Sequence, residues 1–459
     1  MCSSDLAGVR AQADLAEAHA HGDLADYKQE LKVATSAAET AQALGANLLL
    51  ARARILQCFA QVSLGDAEKA RPLCEEAKKI NLSAGDELGA ARATNDMANA
   101  YYYAGNYAAA EPLYQEALSI AQTIGDAYDE AGALNNLANV QSGRGDHATA
   151  VKTYERAIAV ARDRNELGDV ALAQQNLAPE LDATGDHVRA KEMLDAALKS
   201  SRDLGDKNLE ARILNSKCAT SLGAGALAEA RKSCEGSLKI RRETNDRTGI
   251  GQALMSFGNV QLQQGDLDGA RNSLGESLYA LESVSAKNDA AWARISLADL
   301  ALEQRKADDA AKYAGDAATE LAAEKDPGGE AEARGKLARA MLALGNLAGA
   351  REQSDKAMQL AQQSGDQGTK LDAAIVAALV DAKSGKADAA LKALAAAQKD
   401  AQTSGMVQIE YDARLALGET QIASGRTNDG RATLRRLAQE TKAHGFALTA
   451  QKALAASQG

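Results

Sequence analysis

Large side chains are scarce in this sequence. Only 3% of its 459 residues are aromatic, with 1 Trp and 3 Phe, and there are 4 Pro. A chain so poor in bulky groups cannot fill one thick globular core at native density. It contains no apolar run of the roughly 18 residues that a membrane-spanning helix needs, so no membrane partner is expected within this segment. Positive charge is short as well, since 52 Lys and Arg face 63 Asp and Glu, for a formal charge of -11. Nucleic acid is therefore excluded as a partner, because its binding needs a basic face. The 5 Cys and 5 His are too few and too scattered for a disulfide-rich scaffold or a metal centre. No Walker loop, His-Glu-x-x-His or Gly-x-Ser-x-Gly occurs, which argues against an enzyme and implies no cofactor.

What is present is alanine, about one residue in five, and a strict period. Turn positions fall every 40 residues, at Gly65, Gly105, Gly145, Gly185, Gly225 and Gly265, then Arg305, Gly345, Gly385 and Gly425. A second series lies midway, from Gly85 and Gly125 through Asn165, Ser285 and Lys325 to Gly445. Gly and Asn accept the left-handed conformation that ends a helix. About 17 residues of helical pattern separate the turns, roughly 25 Å of helix at 1.5 Å per residue. Each period thus reads as two antiparallel helices. Small residues repeat at fixed places, as at Ala70, Ala110, Ala150 and Ala190, five after the turn. Such columns let paired helices approach closely. The fold class is all-α, a right-handed α-solenoid superhelix of helix pairs.

Leu134-Asn135-Asn136-Leu137-Ala138-Asn139-Val140, followed by Gly145-Asp146, Ala150, Tyr154 and Ala157, resembles the tetratricopeptide repeat in a 40-residue variant. The stretch from Gly105 to Tyr114 is similar to the kinesin-light-chain-like branch. The family's closing proline is absent, and the second helix is expected to continue. The resemblance implies a protein-interaction array in which the first helix of each pair lines a concave groove. It also implies a bacterial signalling protein with an upstream Ser/Thr kinase or winged-helix effector.

The organisation follows. Residues 1–6, Met1-Cys2-Ser3-Ser4-Asp5-Leu6, resemble the translated tail of a sequencing adaptor, so a missing upstream domain is expected. Residues 7–45 form an irregular helix pair whose second helix is expected to be one turn longer. Residues 46–445 hold ten 40-residue repeats, and 446–459 a closing helix and tail. Pro179 should kink the first helix of its pair.

The candidate site residues are polar groups on the groove face. Asn95, Asn135 and Asn215 lie ten before their turns, Asn136 and Asn176 nine before, and Asn99, Asn139 and Asn259 six before. Asparagine offers both donor and acceptor, so it can hold an extended peptide backbone. The column six before the turn is assigned to ligand contact, and Asn136 and Asn176 to structure. Arg92, Tyr102 and Tyr103 join the groove set, because Tyr and Arg are enriched at binding hot spots. His147 and His187 read as surface packing groups. The later repeats carry Ile295, Arg339, Ile375, Val376 and Glu419 instead of asparagine. Their groove is either filled or offers an apolar patch for a partner or second copy.

Cys58, Cys74, Cys218 and Cys234 are candidate disulfides. One of each pair lies seven before its turn and the other nine after, so Cys58 should face Cys74 and Cys218 should face Cys234. The alternative is a small buried filler. The chain is cytoplasmic by default and periplasmic if the pairs are bridged. The expected function is a non-enzymatic scaffold that binds a peptide or partner domain. The alternative is a structural module that self-associates, as a homodimer, through its C-terminal repeats.

Overall fold

The computed structural model describes residues 3–23 and 26–458. Those residues form 23 α-helices and no strand. The helices come as eleven pairs and a last one, Ala447–Gln458, and consecutive helices pack on one another within each compact unit, as Asn47–Ser63 packs on Ala67–Ala84. The chain is thus an all-α solenoid of helix pairs.

Two local devices set this regularity. Among the described residues, every turn position from Gly45 to Gly445 has a positive φ. Glycine fills most positions, but Asn165, Asn245, Ser285, Arg305 and Lys325 take φ of 55 to 60°. Most turns then supply an acidic or amide N-cap. Asp86 accepts from the Gly89 N–H at 2.9 Å, and Asp266 from Gly269 at 2.9 Å. One residue stops a helix and the next starts its partner.

Packing follows from the small-residue columns. Ala70, Ala110, Ala150 and Ala190 are completely buried, as are their equivalents up to Ala390. In six of the ten 40-residue repeats a small residue seven before the turn stands opposite a large one nine after it, while Ala314, Ser354 and the two cysteine pairs depart from this. At Gly258 even a methyl group would come within 2.7 Å of Leu274. Gly418 faces Leu434 in the same way, at 2.6 Å. In those hairpins the bulk at this level comes from one helix only.

One expectation changes. The second helix of the first pair, Tyr27–Ala43, has 17 residues rather than an extra turn. The first helix, Ser3–Asp23, ends 40 residues before Ser63, so the pair keeps the period and Gly22 lies inside the helix. The helix Leu167–Ala183 contains Pro179 and is continuous through it. Met1 and Cys2, within the adaptor-like stretch, lie outside the described residues.

Two compact units are distinguished. The first comprises Met1–Arg144 and Thr149–Ala173, the second Gly145–Ala148 and Gln174–Gly459. Within the second unit the chain returns on itself. The turn at Gly145 meets Ser364 and Gly365, that at Gly185 meets Ser404, and that at Gly225 meets Phe446. Each contact joins turns five and a half repeats apart. A buried cluster, with Cys218, Leu227, Tyr411, Leu434 and Phe446 at its centre, holds this return together.

Candidate functional site

In the first unit the first helices of successive pairs face a cavity of about 1310 Å³. Arg92, Asn95 and Asp96 reach it from Glu87–Tyr103, and Asp129, Asn135 and Asn136 from Ala127–Gly143. Asn136 donates to Asn95 Oδ1 at 3.1 Å, linking the two helices across the groove floor. Arg92 Nε donates to Asp129 at 3.0 Å while its side chain stays half exposed. Burial pushes the Asp96 carboxyl up to about 7, against hydrogen bonds from Asn95 and Asn99 that favour its ionised form. A wall with paired amides, a guanidinium and half-buried carboxyls offers donors and acceptors to an extended chain.

Members of one asparagine column take different roles. Asn99 Oδ1 accepts from the Tyr114 hydroxyl at 2.5 Å, and its amide donates to Asp96 at 3.2 Å. Asn139 Oδ1 likewise accepts from Tyr154. Both tyrosines are buried in the hairpin core, and a buried phenol needs a partner. Asn99 and Asn139 tie the first helix to the second, while Asn136 lines the groove. Tyr102 and Tyr103 are absent from the cavity wall. They meet edge to face at 5.3 Å, and Tyr102 lies 5.5 Å from Tyr107 at the hairpin turn.

The second unit encloses its own cavity, of about 710 Å³. Asn215 and Asn259 line it, and the buried Oδ1 of Asn215 has no hydrogen-bond partner. Ile295, Ile375 and Val376 are buried in its wall, so this face is not an open apolar patch. What sequence reasoning missed is charge. Lys336, Arg339 and Lys452 share the wall with Asp299, Glu332, Asp372, Asp412 and Glu419. Arg339 and Glu419 fall in the columns already singled out. Asp299 shares their column six before the turn, and Glu332, Asp372 and Asp412 form another, thirteen before it, on successive first helices.

His147 and His187 are not surface packing groups. His147 Nδ1 meets Glu180 at 2.8 Å, and His187 Nδ1 meets Asp182 at 2.7 Å. His187 Nε2 also lies 2.5 Å from the Ser404 carbonyl, on the far side of the return. Both imidazoles are held above their ordinary range, chiefly by these carboxylate bonds. The structure joins Cys58 to Cys74 and Cys218 to Cys234, with Cα atoms 5.6 and 5.3 Å apart. Among the described residues no group of three or more His, Cys, Asp and Glu is arranged to hold a metal ion, and no helix is long and apolar enough to cross a membrane.

Residues 49–123 and 129–203 match the family model described as tetratricopeptide repeat. No curated protein matches the chain. Among solved structures, the chain is similar to a Rap protein complexed with Competence and Sporulation Factor. The TM-score is 0.58 at 16% identity, over 78% of this chain and 99% of that one. It is also similar to the apo form of the quorum sensor NprR from B. thuringiensis, with TM-score 0.53 at 14% identity, over 76% and 98%. At such identities the likeness bears on fold alone.

Proposed function

Because this chain is a tetratricopeptide-repeat protein, we propose that it is a non-enzymatic scaffold that holds an extended peptide segment in the groove of its first unit. The observation that carries this reading is the facing amides of Asn95 and Asn136 on consecutive first helices, with Asn135 and Arg92 beside them. Asn215 and Asn259 belong to the second unit's cavity and are set apart from that groove. Asn99 and Asn139 support it indirectly by fixing the helices, and Tyr102 and Tyr103 flank the hairpin turn. A sensing or docking role within a larger signalling protein is part of the proposal, in line with the sensor described among the similar structures. Self-association through the C-terminal repeats has less support, since the apolar residues expected to mediate it are buried. Two bridged hairpins favour an oxidising compartment outside the cytosol.

Selection of peptides from a displayed library on the full chain tests the groove. Replacing Asn95 and Asn136 by Ala should weaken the selected peptides about tenfold, which is about 1.4 kcal/mol, with little change in melting temperature. Peptides that bind both proteins equally would place their site elsewhere.

A further inference from the structure

The cavity of the second unit holds charge that its own side chains do not neutralise. Two of its three cations have partners: Lys336 meets Asp299 at 2.8 Å, and Lys452 meets Glu303 at 2.6 Å. Arg339 forms no hydrogen bond or ion pair. Nor do the carboxyls of Glu332, Asp372, Asp412 and Glu419 on the same wall. Partial burial of unpaired charge is costly, and a wall serving packing alone would be expected to pair it or replace it with apolar groups. Burial pushes the Asp372 carboxyl up to about 7 and raises those of Asp412 and Glu332. The Arg339 cation is sustained against its own burial by the field of Asp299, Asp412, Glu303 and Asp372.

A guanidinium offers a planar set of donors that fits a carboxylate with two parallel bonds. Ionised carboxyls offer only acceptors. The orphaned Oδ1 of Asn215 adds another acceptor on the same wall. One unpaired cation and four unpaired acids thus match a ligand with one carboxylate and more than one cationic group. Ile295, Ile375 and Val376 supply an apolar strip along which a methylene stem can lie. The volume of about 710 Å³ is that of a small-ligand pocket.

We infer that this cavity binds a small zwitterion of net positive charge, its carboxylate on Arg339 and its cationic nitrogens on Asp372, Asp412 and their neighbours. A free basic amino acid and a short basic peptide share this chemistry. The site lies wholly within the second unit and is independent of the groove proposed for peptides.

The only Trp of the chain, Trp292, lines the same cavity and reports on it. The full chain is titrated with L-arginine, the dipeptide Gly-Arg, L-alanine and 1,5-diaminopentane, following Trp292 emission and the heat of binding. Saturable binding of L-arginine or Gly-Arg is expected, at least tenfold tighter than that of L-alanine or the diamine. The tighter of the first two identifies the source as free amino acid or peptide. Arg339→Met should weaken binding at least tenfold, and Asp412→Asn should do so as an independent variant, each checked for an unchanged helical spectrum. Equal affinity for the diamine would remove the carboxylate from the argument. An Arg339→Met protein that binds as wild type, or the absence of saturable signal and heat with both basic ligands, would overturn the inference.

Discussion

Replacing Cys218 by Ala and Cys234 by Leu should break the second bridge while restoring the packing its neighbours use. In adjoining repeats the same two places hold Ala178 opposite Leu194 and Gly258 opposite Leu274, and those leucines are completely buried. The substitution therefore removes a bond without leaving a void. The bridged residues are separated by 16 positions, and closing a loop of that size is worth about 3 kcal/mol in the chain-entropy picture. Only neighbouring elements share contacts in a repeat array, so the loss should appear as local opening. Amide exchange over Lys207–Glu243 should speed up by roughly 100-fold, at tenfold per 1.4 kcal/mol. The Ala/Ala variant should lose about 1 kcal/mol more, because it also leaves a gap. Exchange that is equal in oxidised and reduced wild-type protein would refute the reasoning, leaving these cysteines a packing role alone.

Three further outcomes are expected. Arg305→Gly should stabilise its hairpin by about 0.5–1 kcal/mol in denaturant unfolding, because a left-handed residue with a Cβ is strained while glycine is not. Tyr154→Phe should cost about 1 kcal/mol by leaving Asn139 Oδ1 without its donor, with no change in groove affinity if Asn139 acts only as a tie. Both ring nitrogens of His187 face acceptors, so its contacts are complete only for the imidazolium. Its folded pKa lies above the ordinary 6.5. That stabilisation is full below the unfolded value and is lost as pH rises through the folded one. Exchange protection at Ser404 and Gly405 should fall over that rise, and His187→Gln should flatten the dependence.

The architecture was legible because its determinants are local. A left-handed residue, a capping carboxylate and a buried alanine each act within one turn or one hairpin, so their spacing in sequence carries their structural meaning. The facing cysteines were legible for the same reason: equal distance from a turn places two residues opposite each other in an antiparallel pair. The asparagine columns were harder. Their placement on the first helices was readable, but whether an amide turns to the groove or to the hairpin depends on which partner lies opposite. Tyr114 and Tyr154 made that choice for Asn99 and Asn139.

The charged cavity of the second unit marks where such reading stops. Its charges do follow the period: Asp299 shares a column with Arg339 and Glu419, six before the turn, and Glu332, Asp372 and Asp412 share another, thirteen before it. What spacing did not give is that Asn215 and Asn259, from earlier repeats, share their cavity, because turns five and a half repeats apart touch, as Gly185 touches Ser404. That interval is set by small rotations between successive pairs, which accumulate over the whole unit. A change of a few degrees per pair would bring other residues opposite Arg339. Local spacing cannot supply that angle. Each pair is specified by its own 40 residues, whereas the composition of the cavity is a property of the stack.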